Sequence, residues 1–183
     1  MLRAILLVIL LATASLGFSQ GYKPKAGETV MKFIVQSRGE IFILLHTKEA
    51  PKATSHVIGL VNRRFYNDQK FFRVVKRPRP FLIQFGDPGS KTKQMSDKSL
   101  GEGGSGKKIP YEDSGFQNVV GAVGLATREN DKNSGDSQFY ILLSPSRFLD
   151  GTATVFGKVV QGMDVVRKVV LGDKVTSVSI IRG

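Results

Sequence analysis

Two short stretches of the chain set polar side chains capable of chemistry among large apolar ones. The first runs Phe71-Phe72-Arg73-Val74-Val75 and resumes at Phe81-Leu82-Ile83-Gln84-Phe85-Gly86-Asp87-Pro88. The second is Ser137-Gln138-Phe139-Tyr140-Ile141-Leu142. Charged side chains are rarely buried without a partner. Arg73 inside an apolar strand pattern therefore either snorkels to water from a strand end or is kept there for its charge and donors. A guanidinium is always protonated and carries its N–H donors in a rigid fork. Accompanied by amides and aromatic rings, it can stabilise charge developing on a bound group by preorganised electrostatics, with no covalent step.

Other chemistries are poorly provided for. The chain has no cysteine, hence no disulfide, thiol nucleophile or cysteine metal site. His46 and His56 are the only histidines. No carboxylate stands at metal-ligand spacing from either, and Ser137 lacks the Gly-x-Ser-x-Gly turn of a nucleophile elbow. Both histidines read as surface residues. Gly101-Glu102-Gly103-Gly104-Ser105-Gly106-Lys107 looks like the start of a phosphate loop. Lys108 follows where Ser or Thr must bind magnesium, Pro110 blocks a normal helix, and no strand precedes it. That stretch reads as a flexible loop. No conventional nucleophile, metal centre or cofactor site is left.

The elements that must position the two stretches are many and short. The 183 residues suit one domain with a sizeable core. Residues 1–19 read as a secretory signal peptide. Arg3 forms a basic n-region, residues 4–14 are an apolar run too short to span a membrane, and Ala12-Thr13-Ala14 and Gly17-Phe18-Ser19 are cleavage candidates. Residues 20–29 form a polar linker, and 30–183 the folded domain. Residues 30–36 and 40–45 read as a hairpin across Ser37-Arg38-Gly39. A helix follows from Pro51, with Ala53, Val57, Leu60 and Val61 on one face and Arg63-Arg64 in its last turn. After the central strands comes a long Gly-, Lys- and Ser-rich loop over 89–116. Further strands are expected over 119–127, 139–143, 153–160 and 175–181, with a second helix over 163–170. About eight short strands and two helices argue for a β-barrel or sandwich.

The formal net charge is +12, one unit of which is Arg3. Many of the cations crowd the central region at Lys76, Arg77, Arg79, Lys91, Lys93, Lys98, Lys107 and Lys108. They read as solvated loops, with attraction to an anionic partner as the alternative. The aromatic interleaving of single-strand nucleic-acid binders is missing from 91–108, so no nucleic acid is expected.

Four pieces in order resemble the cyclophilin-type peptidyl-prolyl isomerases. They are Phe-x-Arg-Val-Val at 71–75, Phe81-Leu82-Ile83-Gln84 with Gly86-Asp87-Pro88, Ser-Gln-Phe-Tyr-Ile at 137–141, and Leu149-Asp150-Gly151 leading to Val155-Phe156-Gly157-Lys158-Val159. The resemblance covers essentially everything from Val30 onward. It implies a mainly β fold, a closed eight-stranded antiparallel barrel capped by two α-helices. It also implies isomerisation of X–Pro bonds during the folding of exported proteins, without a cofactor or metal. By that resemblance Arg73 is the catalytic cation. Phe81, Leu82, Tyr140 and Leu149 line a proline pocket bordered by Phe148. Gln84 bonds the substrate backbone, Ala126 and Thr127 offer main-chain groups to the residue before proline, and Gln138 shapes that subsite. The partners implied are proline-containing polypeptides and, with reduced affinity, cyclosporin-type inhibitors. The mature chain would be a monomer without a transmembrane segment, periplasmic or secreted. A non-catalytic module that binds proline segments or an anionic partner would look the same in sequence. Four departures stand out: the 76–80 connection is longer than usual, Tyr140 replaces Phe, Phe148 stands where many members have Trp, and Ala153 where many have His.

Overall fold

Alternation shapes the first hairpin. In β1 (Thr29–Val35) Met31, Phe33 and Val35 enter the core while Lys32 and Ile34 stay outside it. β2 (Gly39–Leu45) returns antiparallel, with Val35 opposite Gly39. The tight loop between them is possible because Ser37 and Gly39 adopt positive φ, 60° and 124°. The computed structural model describes residues 21–183; the signal peptide expected at 1–19 lies outside the described residues.

The remaining strands are β3 (Arg73–Val75), β4 (Leu82–Phe85), β5 (Ala122–Leu125), β6 (Phe139–Leu142), β7 (Val155–Gln161) and β8 (Val175–Arg182). They form one antiparallel sheet in the order β3-β4-β6-β5-β7-β2-β1-β8. The sheet curls into a half-barrel but does not close, which corrects the closed barrel expected from the sequence. The reason lies at the seam. β3 is only three residues long and has no ladder to β8. It is the segment just before β3 that crosses the gap. Lys70 bridges Lys174, Phe71 N–H donates to the Asp173 carbonyl at 3.0 Å, and Val175 N–H to the Gln69 carbonyl at 2.9 Å.

The concave side holds the core. Phe33, Tyr66, Phe85, Phe139 and Phe156 pack there, mostly edge-to-face, with Phe139 touching the other four at 5.7–6.0 Å between centroids. α1 (Pro51–Asn62) adds Ala53, Thr54, Val57, Leu60 and Val61 to this core and packs against β8. Its N-terminus is not capped by Ala50. Glu112 instead receives the amides of Lys52 and Ala53 at 2.9 and 2.8 Å. The helix ends at Asn62, so Arg63 and Arg64 lie just past it and not in its last turn. Arg64 turns left-handed, φ 56°, which halts the helix there.

α2 (Met163–Lys168) buries Val165 and Val166 and packs on β2. It stops short of Val170. Lys76 Nζ donates to the carbonyls of Arg167 and Val169 at 2.5 and 2.6 Å, capping the helix end and fastening the 76–80 connection to it. Among the described residues no helix is long and apolar enough to cross a membrane.

Candidate active site

β4 and β6 are buried along their whole length. Ile83, Phe85, Phe139 and Ile141 face the core. The alternate residues face outward, and strand register lines them up. Arg73 on β3 lies opposite Gln84, Gln84 opposite Tyr140, and Tyr140 opposite Gly124. Directly opposed residues of an antiparallel ladder share a face. The two stretches singled out by their chemistry thus become one row across four strands.

The next row supplies an apolar floor. Leu82, Ala122, Tyr140, Leu142, Ala153 and Val155 form a second buried cluster, separate from the core, with Phe81 and Leu149 half-buried against it. Phe148 stands beside it, 72% exposed, with its ring tilted on Phe81 at 5.7 Å. Phe81, Leu82, Tyr140, Leu149 and Phe148 are therefore brought together. The Tyr140 hydroxyl is not in the open part of this patch. It turns inward and donates to Asn118 Oδ1 at 2.6 Å, and its ring occupies the space that a Cβ on Gly124 would need. Burial, reinforced by the Asp150 charge, pushes its pKa well up, so it stays a donor. Asn118 is itself fully buried and held through its Nδ2 and its amide by Asp150, at 2.9 and 2.8 Å.

Arg73 is exposed at the start of its strand, not buried. Its Nη1 donates to Gln84 Oε1 at 3.1 Å. Gln84 Nε2 donates to Gln138 Oε1 at 2.9 Å. Gln138 Nε2 donates to the main-chain carbonyls of Gly101 and Gly103 at 2.8 and 2.6 Å. Carbonyls only accept, so that end of Gln138 must be its nitrogen. Its oxygen must then face Gln84, and the oxygen of Gln84 must face Arg73. Two backbone carbonyls thus set the direction of both amides and give the guanidinium one fixed acceptor, while its other N–H groups remain for a bound molecule.

Two carboxylates pin the loop that carries those carbonyls. Asp87, 2% exposed, accepts the amides of Gly101 and Gly103 on Oδ2 at 2.6 and 3.2 Å. Asp136 Oδ2 accepts the Gly106 amide at 2.9 Å, and its Oδ1 accepts the Ser105 hydroxyl at 2.5 Å and lies 3.2 Å from His56 Nε2. Gly103 and Gly104 are required where the loop passes: a Cβ on Gly103 would sit 2.5 Å from Asp87 Oδ1, and one on Gly104 would overlap Asp136. Burial raises the Asp136 carboxyl, but the hydrogen bonds from His56, Ser105 and Gly106 outweigh it and hold the group below its ordinary range.

His56, Asp136 and Ser105 are not a charge relay. Ser105 Oγ is 3.3 Å from the same ring nitrogen that faces Asp136, whereas a relay needs acid and nucleophile on opposite nitrogens. The cluster corrects the expectation that the histidines are surface residues. The His56 side chain is only 5% exposed. His46 is half-buried and stacks on Phe116 at 3.8 Å, with burial lowering its pKa. Among the described residues no three His, Asp or Glu side chains gather as a metal site.

Beside the amide chain lies a cavity of about 340 Å³ lined by Gln84, Gly103, Ala126, Thr127 and Gln138, among others. Ala126 spends its amide on the Gln138 carbonyl at 2.9 Å, so its own carbonyl is what it can offer there. Every residue assigned from the sequence is thus in one continuous area. Missed were Asp87, Asn118, Gly101, Gly103, Asp136 and His56. Asp87 was visible as the acid between Gly86 and Pro88, and Gly101 and Gly103 as part of a glycine-rich loop whose role was not; the others carry no local signal.

Comparisons with known proteins bear on the family and the fold. The sequence profile of the family described as "Cyclophilin type peptidyl-prolyl cis-trans isomerase/CLD" matches residues 30–181. The Homo sapiens protein named peptidyl-prolyl cis-trans isomerase-like 1 is 34% identical over 140 residues, covering 75% of this chain and 77% of its own. A probable peptidyl-prolyl cis-trans isomerase of Brucella abortus (strain 2308) is 37% identical over 139 residues, 74% of this chain and 69% of its own. In fold, the crystal structure of a Cryptosporidium parvum cyclophilin type peptidyl-prolyl cis-trans isomerase superposes with a TM-score of 0.72 at 21% identity, over 85% of this chain and 99% of that one.

The inward turn of Tyr140 gives an expected outcome. Tyr140→Phe leaves the buried Asn118 Oδ1 without its donor, which costs about 1–3 kcal/mol, but removes nothing from the open face. Denaturant unfolding should show that loss, and activity on the natural class of substrate should change less than twofold. A large fall in activity at unchanged stability would place the hydroxyl in the open site.

Proposed function

The chain belongs to the cyclophilin-type peptidyl-prolyl cis-trans isomerase family, and from that premise we propose that Arg73 is its catalytic group, acting on X–Pro bonds of exported polypeptides. The supporting observation is the guanidinium held by Gln84 beside the patch of Phe81, Leu82, Tyr140 and Leu149.

Rotation about a peptide bond breaks amide resonance, at a barrier of about 18–20 kcal/mol. At X–Pro both isomers are populated, yet exchange takes tens to hundreds of seconds. In the twisted amide the proline nitrogen becomes pyramidal and basic, so a hydrogen-bond donor aimed at it lowers the barrier. The apolar patch holds the pyrrolidine ring, with Phe148 at its margin. Gln84 keeps Arg73 from relaxing toward water and adds its own polar edge to the substrate backbone. The carbonyl of Ala126 and the main chain of Thr127 meet the residue before proline, above the cavity bounded by Gln138. No nucleophile takes part: donors already in place need no reorganisation as the charge shifts.

Export rests on residues 1–19, whose basic n-region, short apolar run and small-residue cleavage sites fit a signal peptide. N-terminal sequencing of the exported protein should begin near Ser15 or Gln20; an exported chain starting at Met1 or Leu2 would contradict the cleaved signal peptide.

Arg73→Ala should lower kcat/KM on a proline peptide by roughly 10²–10³, the usual effect of removing one preorganised transition-state donor. The fold should be retained, because Arg73 is exposed and its backbone still pairs with Gln84. A folded variant with near-parental turnover would refute the role of Arg73. A parent chain that binds proline peptides without turnover would make it a binding module.

A further inference from the structure

A second cavity lies on the far side of the segment that walls the first. It measures about 430 Å³ and is lined by Lys52 and Arg63 from the two ends of α1, by Lys107 and Lys108, and by His56 and Pro110. No carboxylate lines it. Two acids close to it are otherwise engaged. Glu112 takes the Lys52 and Ala53 amides, and Asp136 is held by His56, Ser105 and Gly106. Asp131 reaches Lys108, but only at 3.8 Å. Among the described residues no ion pair engages Lys52, Arg63 or Lys107. Cations around one concavity raise its potential together and concentrate anions there.

The position of this groove narrows its occupant. Lys108 lines both cavities, and the first also includes Arg128, Ala126, Thr127 and the acids Glu102 and Asp136, so the unopposed cations are those of the second. A polypeptide that meets Ala126 and Thr127 with the residue before proline thus has Lys108, and the groove beyond it, next to that residue. The groove lining holds no Phe, Tyr or Trp side chain on which a nucleic-acid base could stack, and its one ring, His56, is turned to Asp136. It is concave, unlike a face that lies on a membrane. We propose that this groove takes acidic side chains of the client chain upstream of the X–Pro bond, so that the enzyme favours proline segments preceded by Asp or Glu. The inference rests on the isomerase reading above and names the substrate class of that same site.

The test uses the mature protein and a matched set of proline peptides that differ only in carrying two Glu or two Gln residues upstream of the residue before proline. At low salt the Glu peptide should show a KM roughly three- to tenfold lower at equal kcat, the effect of a few exposed ion pairs. The difference should fade at about 0.5 M salt, where screening is strong. Arg63→Gln combined with Lys107→Gln should abolish the preference and leave turnover of the Gln peptide unchanged. Equal KM values on the parent at low salt, or a preference the double variant keeps, would overturn the proposal. So would a single-stranded oligodeoxynucleotide that displaces the Glu peptide at concentrations below that peptide's own KM. If neither peptide is turned over, the isomerase reading has failed, and fluorescence anisotropy of the labelled peptides then decides the groove alone. Glu-selective binding lost in the double variant supports it, and equal binding of the two peptides overturns it.

Discussion

The site depends on one pair of hydrogen bonds, those from Gln138 Nε2 to the carbonyls of Gly101 and Gly103. An amide side chain has a donor end and an acceptor end of nearly equal shape, and only its partners choose between them. Two acceptors at one end leave no choice. The direction then passes through Gln84 to Arg73, an exposed cation that would otherwise sample many rotamers. Holding a flexible cation in one place before substrate arrives is what preorganised electrostatic catalysis requires. The glycine loop, which resembles a phosphate loop in sequence, binds through its carbonyls here, with Asp87 consuming the amides of Gly101 and Gly103.

The same constraint explains why the glycines and acids around the loop are in such close contact. Asp87 is almost fully buried, yet its charge is met by main-chain amides, so its desolvation is offset. Gly86 takes φ 105°, and a Cβ there would come 2.8 Å from Gln138 Cα. Ser137 Oγ donates to the Gly86 carbonyl at 2.8 Å, and Tyr66 to the Ser137 carbonyl at 3.0 Å. Gln138 therefore enters the site from backbone clamped to β4 on one side and to the aromatic core on the other.

What could be read from the sequence follows from the range of the interactions. The hairpin of β1 and β2, the two helices and the pocket strands declare themselves through local alternation and turn residues. Arg73, Gln84 and Gln138 stand out because each is polar within a run of large apolar residues. The openness of the sheet was not legible, since it depends on how residues 68–71 meet 172–175 across the seam. The anchors of the loop were equally hidden. Asp136 is 30 positions from Gly106 and 80 from His56. Helix ends shifted for a related reason: α2 is closed by Lys76, 91 positions before Arg167.

The claim that two carbonyls orient the cation is tested most directly by Gln138→Glu, assayed on a proline peptide across pH. The replacement keeps the shape of the side chain, but a carboxylate cannot donate to Gly101 and Gly103 and is repelled by them. Turnover at neutral pH should fall about tenfold or more, the worth of one to two hydrogen bonds, with the fold intact by circular dichroism. It should partly recover relative to the parent as pH falls into the carboxyl range, where the protonated group can donate again. A folded variant as active as its parent at neutral pH would contradict the account.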